Sequence, residues 1–300
     1  MELFDFSVVI CTRNRSFLLD ICLNALAENE SDGIVYEVLV VDNGSIDETE
    51  EIANRWKSKY SNLRYVFEPQ VGLSIARNRG IKEAFSEWIV FLDDDAKASK
   101  KFIERINFLI KNYNFAGIGG VFKPWYSSPP PSWIPDAVVQ SPVFRPDLGP
   151  LPIGISVPGG ICAFSKVWLQ KVGMFSSNLG MRGDIVGYGE ENYLQDQIRN
   201  AGGEIWFDPE WMIEHYVAPY KFRMSWHIQR LKGKGRDYQT RLGRLSLFEK
   251  VFLFFRGFFA GIYLGSKNLV QLVFSKTYSW QNWVLDSFSY SLISFGRIGL

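Results

Sequence analysis

Histidine and cysteine are scarce in this chain of 300 residues: there are two histidines, His215 and His227, and three cysteines, Cys11, Cys22 and Cys162. The cysteines are odd in number, lie in apolar surroundings and make no CxxC pair or Cys/His cluster. A zinc site is therefore not expected, and a reduced, cytosolic setting is. No GxxxxGK[ST] stretch is present and the first strand-to-helix turn has no GxGxxG, which argues against a P-loop ATPase and against a standard NAD enzyme. Charges nearly balance, at a formal net +1, so no global field points to nucleic acid as a partner. Met1-Glu2-Leu3-Phe4-Asp5 is acidic where a secretory leader carries bases, and no signal peptide is expected. The apolar run over residues 251–264 is interrupted by Arg256 and falls short of the about 20 residues of a membrane-spanning helix.

What is present is a globular composition, 47% hydrophobic and 22% charged, long enough for one large domain or a domain with an appendage. The chain is organised around Glu87-Trp88-Ile89-Val90-Phe91-Leu92-Asp93-Asp94-Asp95. The short apolar run predicts a buried strand, and three carboxylates follow where that strand leaves its sheet. Adjacent carboxylates raise one another's pKa unless a cation is present. A hard divalent ion such as Mn2+ or Mg2+, which commonly shares its ligands with substrate phosphates, relieves that conflict. In open α/β sheets ligands sit beyond the carboxyl ends of strands, so a metal–phosphate site is expected here.

Further strands are predicted over residues 6–11, 37–41, 63–67 and 117–122. They alternate with helices from residue 16, over 47–60, 72–85 and 99–113. The first of these helices is expected to turn Phe17, Leu18, Ile21, Cys22, Ala25 and Leu26 to the core. Strands alternating with helices imply βαβ units and a mainly parallel sheet, which places the polar turns 12–15, 42–45 and 93–95 at one end. Glu190 and Glu191 open a further predicted helix, whose dipole favours their ionised form.

Four stretches, Ser7-Val8-Val9-Ile10-Cys11-Thr12-Arg13-Asn14-Arg15, Val40-Val41-Asp42-Asn43-Gly44-Ser45, Gly72-Leu73-Ser74-Ile75-Ala76-Arg77-Asn78-Arg79-Gly80 and Phe91-Leu92-Asp93-Asp94-Asp95, resemble in order and spacing the successive motifs of family 2 glycosyltransferases. The resemblance covers roughly residues 6–217. It implies a GT-A (nucleotide-diphospho-sugar transferase) α/β fold with a mixed, mainly parallel central sheet, plus a C-terminal helical appendage. A catalytic domain over residues 1–220 would comprise a nucleotide-sugar half, about 1–122, and an acceptor half, about 123–220. The activity implied is that of an inverting, metal-dependent, hexosyltransferase-type enzyme (EC 2.4). It would move sugar from a nucleotide-diphosphate donor to a carbohydrate or lipid-linked acceptor, in polysaccharide or glycolipid assembly.

By position in these motifs, Asp42 would accept a hydrogen bond from the nucleotide base. Thr12, Arg13 and Arg15 would line the nucleotide pocket, and Arg77 would serve the diphosphate or base. Asp93 and Asp94 would touch ribose and metal-bound water, Asp95 would ligate Mn2+ or Mg2+ directly, and His215 would approach the metal or diphosphate. Gly159 and Gly160 would let backbone approach the donor sugar closely. Glu191 or Glu190 would be the general base. The family motif there is usually Glu-Asp, so Glu191 is one methylene longer, and Asp184 stays an alternative. Ten of the 13 prolines lie between Pro124 and Pro158, marking a long loop on the acceptor side. On it Trp125, Tyr126 and Trp133 either stack on a sugar or pin the loop.

Residues 221–300 stand outside the resemblance. Residues 221–244 carry eight basic side chains against one acid, Asp237, and precede the aromatic-rich run over 251–264. A second stripe comprises Trp280, Trp283, Val284, Phe288 and Leu292. This combination suits an anionic membrane surface, so a peripheral position on the inner face of the cytoplasmic membrane is expected, with a helical appendage on the core or on a second subunit as the alternative. Two rival functions remain at this point. One is a non-catalytic sugar-nucleotide-binding or membrane scaffold protein. The other is a nucleotidyltransferase, whose Gly-rich, basic first loop is missing.

Overall fold

The computed structural model describes residues 4–135, 140–183 and 187–300. The chain divides into two compact units. The first comprises Met1–Trp125, Gln140–Gly183 and Glu190–Tyr216, and the second comprises Tyr126–Val139, Asp184–Gly189 and Val217–Leu300.

In the first unit the elements run β1 (Phe6–Thr12), α1 (Ser16–Ala27), β2 (Tyr36–Asp42), α2 (Thr49–Lys57), β3 (Leu63–Phe67), α3 (Leu73–Glu83), β4 (Trp88–Leu92), β5 (Ala96–Ala98) and α4 (Phe102–Asn112). They continue with β6 (Gly117–Trp125), β7 (Gly149–Pro150), β8 (Ile161–Ser165), α5 (Lys166–Lys171), α6 (Glu190–Asn200) and β9 (Ile205–Tyr216). The described strands form one sheet in the order β3-β2-β1-β4-β8-β6-β9-β5, with β7 on β9. The run β3-β2-β1-β4 is parallel, as the βα alternation requires. Antiparallel pairing enters where β8 lies between β4 and β6, and where β5 and β7 meet β9, so the sheet is mixed. Side chains of β1 alternate between the two faces. Phe6, Val8 and Ile10 join α1, α2 and α4 on one side, while Val9 joins α3, α5 and α6 on the other. A sheet covered on both faces makes its strands read as continuous apolar runs.

One expected face is rotated. Phe17 is 73% exposed, and the buried line of α1 is Leu19, Cys22, Leu23 and Leu26. The helix is apolar on most sides, so two stripes at helical spacing share Cys22 and Leu26, and packing against the sheet selects between them. In α4 the expected face is buried: Phe102, Ile103, Ile106 and Leu109. Arg105 of α4 forms a bidentate pair with buried Asp208 of β9, at 2.7 and 3.0 Å.

The second unit contains a 3-10 turn, Pro219–Phe222, and the helices α7 (Met224–Leu242), α8 (Leu247–Phe274) and α9 (Trp280–Ile298). Ser246 with Glu249 and Ser279 with Asn282 form capping boxes that fix the starts of α8 and α9. The apolar run over 251–264 lies inside the 28-residue helix α8. Among the described residues no helix is long and apolar enough to cross a membrane. The buried positions of α8 are Gly257, Gly261 and Gly265, and those of α9 are Leu285, Ser287, Ser291, Ser294 and Gly296, the last of which packs on Lys232 of α7. Ser291 Oγ donates to Gly257 O at 2.7 Å, and a Cβ at Gly261 would stand 2.7 Å from Ser291 Oγ. The glycines of α8 thus meet Ser291 and Ser294 of α9, with Phe288 and Trp283 of α9 lying over Gly261 and Gly265. Trp133 and Tyr126 are held within this unit: Asn282 donates to Trp133 O at 2.8 Å, and the Tyr126 ring stands 6.2 Å from that of Phe222.

Candidate active site

The turns at the carboxyl ends of β1, β2 and β4 converge because these strands are parallel neighbours. Thr12 and Asp42 are register partners at the ends of β1 and β2. Asp42 is 2% exposed, and both its carboxylate oxygens are engaged. Ser45 N donates to Oδ1 at 2.9 Å and Tyr65 Oη donates to Oδ2 at 2.8 Å. Asn43 staples this turn to the start of α3: its amide donates to Gln70 O at 2.8 Å and its Oδ1 accepts from Gly72 N at 2.7 Å. Arg13 is half-buried beside Thr12. Arg15 points to the carboxylates, with Nη1 2.9 Å from Asp94 Oδ1 and 3.1 Å from Asp95 Oδ2.

His215 reaches the carboxylates through the short strand β5, which directly follows Asp95. Ala96 pairs with His215 across the β5–β9 ladder, and Tyr216 N donates to Asp95 O at 2.9 Å. His215 Nε2 stands 3.1 Å from Asp95 Oδ1 and 3.7 Å from Asp93 Oδ2. One ligand atom from each of Asp93, Asp95 and His215 lies within 4.8 Å of the others. Two carboxylates and an imidazole fit a divalent cation in donor chemistry and in spacing. Asp94 is buried beside them. Desolvation pushes its carboxyl up to about 6, with Arg15 opposing and Asp95 adding to the rise.

On the other side of Asp93, Arg77 of α3 is 4% exposed. Its Nη1 donates to Glu190 Oε1 at 2.8 Å, and its Nη2 donates to Gly159 O at 3.3 Å and lies 3.7 Å from Asp93 Oδ1. Burial disfavours the guanidinium charge, but Glu190 and Asp93 outweigh it and hold Arg77 firmly protonated. The antiparallel β4–β8 ladder brings Gly160 beside Asp93. A Cβ at Gly160 would meet Asp93 Oδ2 and stand 2.8 Å from its Cγ, and a Cβ at Gly159 would be 3.0 Å from Arg77 Nη2. The space these glycines leave is occupied by the Asp93 carboxylate and the Arg77 guanidinium.

Glu190 and Glu191 do begin a helix, α6. The surroundings of Glu191 work against the expected ionised state. Desolvation, with Glu190 beside it, pushes its carboxyl up to about 8 despite Arg77. A helix terminus contributes about 0.3–1 kcal/mol, too little to offset that burial. Asp184, the alternative base, lies outside the described residues.

Two site-building residues escaped the sequence reading. Tyr65 holds Asp42, and its place on β3 beside β2 is the only clue the sequence offered. Gln195 is fully buried on α6, accepting from Val157 N at 2.8 Å and donating to Val157 O at 2.9 Å. It thereby ties the Gly159-Gly160 loop to the helix that carries Glu190 and Glu191. Its place next to Leu194 on a predicted helix was its only mark. Trp125 is pinned within the first unit, with Lys97 Nζ 3.9 Å from its ring centroid and the Tyr216 ring at 4.5 Å.

Residues 7–172, more than half of the chain, match the family model described as Glycosyl transferase family 2. The chain belongs to glycosyl transferase family 2. Among curated members, a Haloferax volcanii protein named Glycosyltransferase AglE is 40% identical over 100 residues, 33% of each chain. A Borreliella burgdorferi protein named Cholesterol galactosyltransferase is 30% identical over 102 residues, 34% of this chain and 28% of its own. The matched segment thus spans about a third or less of these relatives. Among solved structures, the mannosyltransferase PcManGT from Pyrobaculum calidifontis, in complex with GDP-Man and Mn2+, has a TM-score of 0.66 at 16% identity. That match covers 100% of this chain and 88% of PcManGT. TarS from S. aureus, residues 1–349 with UDP-GlcNAc, has a TM-score of 0.53 at 19% identity, over 71% and 58%. These likenesses show the GT-A fold of family 2 enzymes, with helices added at the C-terminus.

Proposed function

We propose that this family 2 protein transfers a sugar from a nucleotide-diphosphate donor to a hydroxyl of a carbohydrate or lipid-linked acceptor, with inversion at the anomeric carbon. The observation that carries the reading is the convergence of Asp93, Asp95 and His215 within 4.8 Å, with the Arg77–Glu190 pair and Glu191 on the far side of Asp93. Support also comes from structural relatives described with GDP-Man and Mn2+ and with UDP-GlcNAc. Asp93, Asp95 and His215 would hold Mn2+ or Mg2+, whose chemistry is neutralisation of a leaving diphosphate. Asp42, with Thr12 and Arg13, would receive the base and ribose. Arg77 would supply a fixed positive charge beside the departing phosphate. Glu191, once deprotonated, takes the acceptor hydroxyl's proton as that oxygen bonds to the anomeric carbon and the bond to the diphosphate oxygen breaks on the opposite face. Residues 1–220 form the catalytic region in this reading, and the protein works on the cytoplasmic side of the membrane.

Thermal unfolding with UDP-, GDP-, dTDP- and CDP-sugars, with and without Mn2+, tests the reading. A donor at 100 times its Kd stabilises the fold by about 2.7 kcal/mol. One nucleotide class should do so, only with Mn2+, and Asp95→Ala should remove the effect. Stabilisation by no donor, or an equal response in the Asp95→Ala variant, refutes it.

A further inference from the structure

Helix α8 is inverted relative to a bundle helix that buries its large apolar side chains: its buried positions are Gly257, Gly261 and Gly265. The inner face of α8 is small: Gly257 faces Ser294, Gly261 faces Ser291 and Phe288, and Gly265 faces Phe288 and Trp283 of α9. Its large apolar side chains face outward. Phe248, Phe252, Phe255, Phe259, Ile262 and Val273 of α8 are between 51 and 80% exposed. They recur at helical spacing along a helix about 42 Å long at about 1.5 Å per residue. An exposed apolar stripe of this length is an interaction surface. Small residues at the helix–helix contact with large ones outside is the pattern of helices in an apolar medium. No described helix is long and apolar enough to cross a membrane, so the medium is met from one side.

The charges beside the stripe select the occupant. Between Leu242 and Lys276 there are five basic residues, Arg244, Lys250, Arg256, Lys267 and Lys276, and one acid, Glu249. Arg256 and Lys267, both exposed, lie three turns apart on the same border of the stripe. A second copy of this stripe would set like charges side by side, whereas an anionic lipid surface complements them. We propose that α8 lies flat in the interface of an anionic bilayer, with the Phe252–Phe255–Phe259 side immersed and Arg256 and Lys267 on phosphate headgroups. This deepens the peripheral location in the proposed function by assigning it to one helix face, and it does not depend on the sugar donor.

Full-length protein would be sedimented with phosphatidylcholine vesicles and with vesicles of phosphatidylcholine containing about 30% phosphatidylglycerol. Binding is expected to the anionic vesicles and to weaken with salt. Phe255→Glu with Phe259→Glu should lower it at least tenfold, and Arg256→Gln with Lys267→Gln should remove the preference for the anionic vesicles. The far-ultraviolet spectrum and melting temperature of each variant report folding. Wild-type protein that stays in solution with both vesicle types, or folded Glu variants that sediment like wild type, overturn the proposal. So does a stable dimer that leaves the vesicles unbound and that the Glu variants dissociate. Donor-dependent thermal stabilisation on the same samples separates failure here from failure of the transferase reading.

Discussion

Replacing Glu191 with Gln is expected to change stability in a pH-dependent way. The carboxyl titrates near 4.5 ordinarily and is pushed up to about 8 in the folded protein, by desolvation first and by Glu190 second. Below about pH 4.5 the group is protonated in both states and its contribution to folding is fully present. As the pH rises, the unfolded chain releases the proton first, and the contribution is lost progressively until the folded group titrates near 8. An interval of roughly 3.5 units at about 1.36 kcal/mol each has a ceiling of about 5 kcal/mol. For a chain of this size that corresponds to a Tm difference on the order of 10 °C. Gln keeps the shape and cannot ionise, so the variant escapes the loss. Differential scanning of both proteins from pH 4.5 to 9 should show melting temperatures separated by a small constant at the acid end. The variant should then gain on wild type up to about pH 8 and hold its gain beyond. The reasoning fails if the gap at pH 5 equals the gap at pH 8.5. The same titration governs the proposed base. Transfer should climb about tenfold in kcat/KM between pH 7 and pH 9, since only about a tenth of a group titrating near 8 is deprotonated at pH 7.

Glu190→Gln leaves Arg77 buried with Asp93 as its remaining charged partner, at 3.7 Å. Breaking a buried pair on one side costs about 3 kcal/mol, so urea unfolding at pH 7 should show that loss, and a change under 1 kcal/mol would contradict the role given to the pair. Gly160→Ala puts a methyl where the Asp93 carboxylate sits. Mn2+ binding followed by calorimetry should weaken at least tenfold with the melting temperature little changed, and unaltered affinity would remove Asp93 from the metal set.

The motif order along the first 95 residues was legible because each polar turn follows an apolar run, and runs alternating with helices force those turns to one end of a parallel sheet. Asp42 and the three carboxylates could therefore be placed at that end from the chain alone, and Arg77 was singled out by the motif resemblance. What stood beside them was not. His215 reaches Asp95 only because β5 pairs antiparallel with β9, and a three-residue strand leaves almost no trace in sequence. Tyr65 and Gln195 act through partners more than 20 residues away, a separation that no local periodicity encodes. The nearly all-round apolar surface of α1 left its buried face to be chosen by the sheet. Glu191 is the sharpest case. Its place at a helix start predicts an ionised carboxylate, but its protonation is set by how much water the fold removes and by which charges it brings close. Residue types and their order determined the family, the sheet and the chemistry available. Tertiary packing decided which groups share a site, and it did so because desolvation and charge proximity are properties of the space around a side chain rather than of its neighbours in the chain.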